Sequence, residues 1–559
     1  MTPGALGPAG DIRPAAPAAP RPALTTPAPS PSAPDPIPVL APSALRTAPD
    51  PVPFPSEFRA APDPVPLPSE FRAAPDPVPV PSRIPAAPQP APTAPGLVPD
   101  PVPAVLGPVP DPAPVPAVLG PVPDPAPVPA VLGPVPDPAP VPPEILAALA
   151  LTRPLPAVSA VLRGALHARR MLLLKSLLVR VDRARGVLPA AVRRRFEDDW
   201  TLLERAERTD AAAVRAVLDY PTTGAWLAAA LAAPDGPDFA DGLAGLGALA
   251  VAAALRAGCR FRTTRTLPAG TLPLPGIGLL RCARGPVRLS GRAGALRITD
   301  GSGRTLLLPG PAPAGPGTRW SADGALAWSA LHPLPGGTAV LDDVDPHRVP
   351  AGGIGPAALP AAERPYADPA AWAARWRDAH ALLAATHPAR AAETLALVRA
   401  VVPLAPSAGG APPVSATVRT APGAVLAQLP ADRRELAELL VHETHHTKLA
   451  VLDELVPLWR PGGSLHRVGW RRDPRPVPGV LQGAYAHLAL LDLWGRARTG
   501  PARSWRRRAA ERFEVCREQV AEALSVLAES DELTPCGREF VRHMGSHHAR
   551  LGTAAHPPG

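Results

Sequence analysis

The spacing of apolar residues divides the chain into unlike stretches. Through residues 1–142 apolar side chains alternate with proline and show no helical period. From Pro143 to about Asp235 they recur three and four apart (Ile145, Leu146 and Leu149; Leu172 to Leu178; Val214 to Leu218), which predicts amphipathic helices. The run 242–255 is apolar on every side and predicts a buried helix, too short to span a bilayer. Within 259–350 the pattern shortens. Segments 286–289, 296–299 and 305–308 read as strands, and Asp300-Gly301-Ser302-Gly303 reads as a hairpin turn between the last two. Helical spacing returns at Ala370. The expected fold is mainly α with a small antiparallel β insertion, behind a disordered proline-rich arm. The expected organisation is an arm at 1–142, a helical region at 143–258, a β-rich insertion at 259–350, a helical region carrying the chemistry at 351–545, and a disordered tail at 546–559.

Composition accounts for the arm. Of the 87 prolines, 49 lie in residues 1–143, leaving too little apolar surface there to offset the entropy of ordering the chain. The arm repeats every 13 residues: PDPVPFPSEFRAA begins at Pro49, PDPVPLPSEFRAA at Pro62 and PDPVPVPSRI at Pro75. A second repeat, AVLGPVPDPAPVP, begins at Ala104, Ala117 and Ala130. Alternating proline favours an extended polyproline II chain, which serves either as a spacer or as a docking arm for a partner that reads proline-rich motifs.

Charge and cysteine narrow the function classes. The chain carries 57 basic and 48 acidic residues, a net charge of +9, but only Lys175 and Lys448 are lysines. This arginine bias accompanies an excess of Ala, Pro and Gly, and no reading helix, zinc finger or aromatic-interleaved basic surface points to nucleic acid. Twelve arginines against four acids in 467–517 suggest an anionic ligand or acidic peptide nearby. Cys259, Cys282, Cys516 and Cys536 form no CxxC pair, as expected of reduced thiols in the cytoplasm. No segment reads as a signal peptide or a membrane anchor.

The candidate chemistry lies in LAELLVHETHHTKL, which holds the HExxH set His442, Glu443 and His446. Asp432 and Glu435 form a cap pair that starts the helix just upstream. Residues four apart share a helix face, so both imidazoles can reach one metal ion, with Leu439 and Leu449 continuing that face into the core. Glu443 lies about 100° around the helix, in reach of a metal-bound water rather than of the metal. His445 points elsewhere, hydrogen-bonded or solvated, and Lys448 is expected at the surface. The metzincin third ligand is absent, because Leu452 and Leu449 occupy its histidine and glycine positions. His487, on a second amphipathic helix in QGAYAHLALLDLW, is the candidate third ligand, with Asp453 and His466 as alternatives. The Asp342-Asp343-Val344-Asp345 run is expected to serve a turn or cap. Ser415 and Thr417, on an extended segment, offer an edge to which a peptide could add as a strand.

The runs HETHHTKLAVLDELVPLW and WRRDPRPVPGVLQGAYAHLALLDLW, together with DYPTTGAWLAAAL from Asp219, LDDVDPHR from Leu341 and SATVRTAPGAV from Ser415, resemble the actinobacterial HExxH-motif family of ribosomal-peptide biosynthesis. Pro422-Gly423 stands where that family has Phe-Gly. The resemblance covers about residues 143–540 and implies a non-haem iron enzyme that uses O2 and 2-oxoglutarate to hydroxylate the β-carbon of a precursor peptide. Such an enzyme needs three metal ligands, here His442, His446 and His487, three neutral groups in place of the usual two-His-one-carboxylate set. It also needs a cation for the distal carboxylate of 2-oxoglutarate. Arg475, stiffened by Pro474 and Pro476, is the first candidate and Arg472 the second. Glu443 would then act from behind the ligands. Two other readings follow from the residues themselves: a zinc metallopeptidase with Glu443 as general base, and a non-catalytic scaffold with a structural metal and a partner-recruiting arm.

Overall fold

Proline opens helix after helix in the folded part of the chain. Pro143, Pro156, Pro221, Pro237, Pro369, Pro388 and Pro535 are each the first residue of a helix. The N–H that proline lacks has no partner at that position, so the residue sets the backbone angle at no cost in hydrogen bonds. This computed structural model describes residues 65–66 and 141–553, apart from 310–317, 321–324, 338, 356, 408–412 and 501; for 65–66, 318–320, 472 and 504 it describes the backbone alone. The expectations for the remainder of the arm and for residues 554–559 lie outside the described residues.

In chain order, strand β1 (Val65–Pro66) precedes helices α1 (Pro143–Ala150), α2 (Pro156–Arg183), α3 (Ala190–Thr209), α4 (Ala211–Leu218), α5 (Pro221–Ala232), α6 (Pro237–Gly242) and α7 (Ala244–Arg256). Ten strands follow: β2 (Phe261–Leu267), β3 (Thr271–Leu274), β4 (Gly278–Arg281), β5 (Gly285–Arg292), β6 (Ala295–Asp300), β7 (Thr305–Leu308), β8 (Thr318–Trp320), β9 (Ala327–Ala330), β10 (His332–Pro333) and β11 (Val340–Leu341). The remainder alternates: α8 (Pro369–Thr386), α9 (Pro388–Leu397), β12 (Ala400–Pro403), β13 (Val414–Ala416), β14 (Ala424–Ala427), α10 (Arg433–Leu455), β15 (Leu465–Val468), β16 (Arg471–Pro476), α11 (Val477–Ala497), α12 (Arg503–Glu529) and α13 (Pro535–Thr553).

The described residues are mainly helical, as the sequence predicts, with 56% helix and 17% strand. The insertion forms two four-stranded antiparallel sheets, ordered β2-β5-β6-β7 and β3-β4-β9-β8. The expected turn joins β6 to β7, where Asp300 Oδ1 accepts from the backbone N–H of Ser302 and Arg304. A third sheet was not foreseen. Its order is β1-β13-β14-β12-β11-β10, and β11, β12 and β14 run parallel. Its central strands β12 and β14 are buried at every position, so they carry no alternation by which a strand could be recognised.

Three hydrophobic cores result. One joins α1, α8, α10, α11, α12 and α13 around Trp372, Trp376, Trp505 and Phe540. The second joins the later part of α2, α3 and α7 to the two antiparallel sheets. The third, smaller core lies against the mixed sheet around Val402 and Leu426. The apolar run lengthens in the structure: Pro237–Arg256 is 20 residues, long and apolar enough to cross a membrane, yet 67% buried inside the protein. At Leu243 α6 passes into α7, and α7 packs on α3.

Candidate metal centre

Helix α10 starts where its cap predicts. Asp432 Oδ1 accepts from the N–H of Arg434 and Glu435, and Glu435 reaches back to the N–H of Ala431. The helix then runs between α11, α8, α9 and the mixed sheet, so nearly every side of it is covered. On the face toward α11, His442 and His446 meet with their Nε2 atoms 3.0 Å apart and their rings edge-on. At that separation one ion about 2.1 Å from each nitrogen can hold both.

Helix α11 supplies the surroundings. Gln482 Oε1 accepts from Nδ1 of His446 at 2.9 Å, which leaves the Nε2 lone pair of His446 to accept from His442 or to bind a metal. His487 donates from Nδ1 to the carbonyl of Gly483 at 2.8 Å, again leaving Nε2 bare, and its ring lies edge-on to His442 at 5.3 Å. Trp470, between β15 and β16, stacks on His487 at 4.5 Å. It fits there because residue 483 is glycine: a Cβ would stand 2.7 Å from the indole. Burial holds His442 well below its ordinary pKa, with the charges of His446 and His487 acting in the same direction. Burial likewise brings His487 down to about 4. These two rings are therefore neutral at neutral pH, the state a metal requires. Nδ1 of His442 is buried without a hydrogen-bond partner. Among the described residues no three His, Cys, Asp or Glu side chains are gathered as a metal cluster; the gathering stops at the His442–His446 pair with His487 alongside.

Glu443 is fully buried and faces the sheet. Ser415 donates its hydroxyl to one carboxylate oxygen and Thr417 to the other, each at 2.7 Å. The two hydroxyls read in the sequence as a peptide edge are thus also the clasp that holds Glu443. Gly423, next to the Pro422 departure, sits at φ +91° and accepts from the N–H of Arg399 and Ala400, a turn that glycine suits.

On the other face of α10 one sequence expectation is corrected and another is narrowed. Lys448 is not a surface residue: it is completely buried, and Nζ is 2.7 Å from Glu393 on α9. Of the two alternatives for His445, solvated or hydrogen-bonded, the second holds, and the ring is buried. Its Nδ1 donates to the Val441 carbonyl at 2.7 Å, and its Nε2 accepts from Arg390 at 3.0 Å. Arg390 also pairs with Glu393 at 2.8 Å and Asp492 at 3.1 Å. Two cations and two anions balance, so this layer is buried without net charge. Burial alone would raise the Glu393 carboxyl, but Lys448 and Arg390 outweigh it and bring its pKa below the ordinary range.

Asp453 and Arg475 are each engaged in an ion pair. Asp453 forms an ion pair with Arg419 at 3.0 Å rather than pointing to the histidines. His466 lies on β15 directly across from Arg475 on β16. Arg475 is paired with Asp473 at 2.9 Å. Arg475 lies against Gly479 in the first turn of α11, three residues before Gln482. The side chain of Arg472 lies outside the described residues. Several arginines of the basic stretch are matched by acids, Arg508 by Glu438, Arg496 by Asp492 and Arg498 by Glu514. A small cavity lined by Arg163, Arg399, Thr447 and Lys448 touches α10, and none of the three imidazoles lines it.

The acidic run performs the turn-and-cap role expected of it. Asp342 accepts from the N–H of Val344 and Asp345, and Asp345 from that of His347. It also joins distant segments: Tyr220 donates to Asp342 at 2.6 Å and Thr222 to Asp345 at 2.8 Å. Two of the motif segments, DYPTTGAW and LDDVDPHR, therefore meet each other and not the histidines. Sequence reasoning missed Gln482, Gly483 and Trp470, although all three lie inside the long run that carries the resemblance. No protein-family model matches this chain, and no curated protein is similar to it.

Proposed function

We propose that this chain is an iron(II)- and 2-oxoglutarate-dependent oxygenase that hydroxylates a side-chain Cβ of a ribosomally made precursor peptide. The observation that carries the reading is the contrast between the imidazoles and Glu443. His442 and His446 present nitrogens to a common point, His487 stands beside them, and both oxygens of Glu443 are occupied by Ser415 and Thr417. A zinc peptidase requires that glutamate free to take a proton from water; here it anchors α10 to the strand beside it.

His442, His446 and His487 would hold the metal. Bound Fe(II) with 2-oxoglutarate and O2 supplies oxidising power that converts C–H to C–OH while the cosubstrate loses CO2 and becomes succinate. The residues of the chain do the rest. Gln482 and the Gly483 carbonyl fix the ring orientations, and Trp470 covers His487 against water. Arg475, with Arg472 second, is proposed to grip the distal carboxylate, which requires Arg475 to exchange Asp473 for the ligand.

The test is an anaerobic titration of the Fe(II)-loaded protein with 2-oxoglutarate, followed by admission of O2. A visible charge-transfer band, then succinate and a 16-dalton gain on a peptide, is the expected outcome. Tight zinc binding with 2-oxoglutarate-independent cleavage, abolished in Glu443→Gln, would replace the reading with the peptidase. A metal-loaded protein that does neither would leave the scaffold. Arg475→Ala should raise the apparent 2-oxoglutarate constant at least about tenfold; an unchanged constant places the anion elsewhere.

A further inference from the structure

The arm touches the folded body at one described place. Val65 and Pro66, in the second copy of the 13-residue repeat, form β1 and pair antiparallel with Ser415 and Val414 of β13. Without β1, β13 would be the edge of the mixed sheet.

Backbone geometry shows which residue of β13 reads the added strand. Val414 turns its peptide groups inward: its carbonyl accepts from the N–H of Gln428 at 3.1 Å, and its N–H donates to the Gln428 side chain at 2.9 Å. Neighbouring residues in a strand face opposite edges, so the N–H and carbonyl of Ser415 face outward, toward Val65. Proline has no N–H and cannot exchange a bonded pair, so the bonded pair is Val65 with Ser415.

The repeat is suited to this position. In an extended chain, residues two apart share an edge. The alternation in Pro62-Asp63-Pro64-Val65-Pro66-Leu67-Pro68 therefore sets every remaining N–H on one edge and a proline at every position of the other. A strand of that sequence can add to a sheet on one side only, and its outer side offers no donor to a further strand. Ser415 also ties the edge to the metal helix, because its hydroxyl bonds Glu443 while its backbone meets the arm.

We propose that the β13 edge is a docking site for extended, proline-alternating peptide, and that its resident occupant is this chain's own arm, which must leave before another extended peptide can take the edge. Tethering keeps the occupant at high local concentration, and the many repeats supply replacements in the same register. The inference does not depend on the oxygenase reading, and its test uses neither metal nor cosubstrate.

Among the described residues the three cores begin at Leu146, with Val141 and Ile145 packed against the first, so residues 141–559 carry a core of their own. Hydrogen exchange at Ser415 is compared between the full chain and 141–559, with Leu426 on central β14 as the internal control. Removing the arm should speed Ser415 exchange at least tenfold and leave Leu426 unchanged. A synthetic peptide of residues 62–71 should restore protection, and the same peptide with Val65→Pro should not. Equal exchange at Ser415 with and without the arm, or equal protection by the Val65→Pro peptide, would overturn the proposal. Protection lost on dilution of the full chain would do the same, by assigning the strand to a second copy. In the intact chain, Pro66→Cys with Val414→Cys should form a disulfide in air, since directly opposed positions of a non-bonded pair bring Cβ atoms within bridging distance. Failure of that bridge would also count against it.

Discussion

His445 and His446 are adjacent on α10 and have opposite fates. His446 turns toward α11, where Gln482 holds one nitrogen and the other faces His442. His445 turns toward α9, where Arg390 takes one nitrogen while the Val441 carbonyl of α10 itself takes the other. The first face gathers imidazole nitrogens, and Nδ1 of His442 there has no hydrogen-bond partner. The second gathers charges that already satisfy one another. A histidine thus acquires a metal-binding or a structural role from which neighbour sets its tautomer, and the two faces of one helix divide the work of binding and of holding.

Breaking the charged face should cost the most stability. Glu393→Ala leaves Lys448 and Arg390 buried with one anion between them, and is expected to lower unfolding stability by about 3–5 kcal/mol in a denaturant titration. His445→Ala comes next: it opens a cavity and removes an acceptor from Arg390, at about 2–3 kcal/mol. His446→Ala should invert that result, abolishing iron binding in equilibrium dialysis while changing the unfolding midpoint little. If His445→Ala abolished iron binding instead, the division between the faces would fail. Thr417→Val removes one of two hydroxyls from a buried carboxylate and should cost about 1.5–3 kcal/mol, with reduced rather than absent metal binding.

Acid gives the smallest and most distributed effect. Burial brings His380, His487 and His547 each down to about 4. The unfolded chain takes up protons near pH 6.5 that the folded chain refuses, so their stabilisation is present above that pH and is lost as pH falls from about 6.5 to 4. Asp345 works oppositely: burial, then Asp342, raises it to about 7, so its contribution is present at low pH and declines as pH rises toward 7. His332, His347, His442 and His445 are lowered as well, and together these histidines outnumber the raised carboxyls Asp199, Glu207, Asp342 and Asp345, so the thermal midpoint should fall between pH 7 and pH 5. A midpoint that rose on acidification would show that these rings are protonated in the folded chain.

Much of the candidate site was legible in local pattern. The four-residue spacing of His442 and His446, the Asp432 cap and the histidine among small and apolar residues of α11 are all properties of single helices. The role of Ser415 and Thr417 was only half legible, because a hydroxyl on a strand does not show which carboxylate it will meet 26 to 28 residues later. Lys448 was misplaced for a related reason. A lone lysine is ordinarily solvated, and only a matching anion from another helix makes its burial tolerable.

By itself the sequence determined that the chain is mainly helical, that a strand-rich insertion interrupts it, where most helices begin, and which two histidines share a face. Those outcomes follow from residue spacing and from the backbone limits of proline, which act within a few residues. Tertiary structure decided the rest: that β12 and β14 join β11 in a partly parallel sheet, that Glu443 is clasped rather than free, that Lys448 lies in a neutral ionic layer, and that an arm repeat meets β13. Each of these depends on charges, hydroxyls or unpaired backbone groups far apart in sequence, whose cost or gain exists only once folding removes them from water.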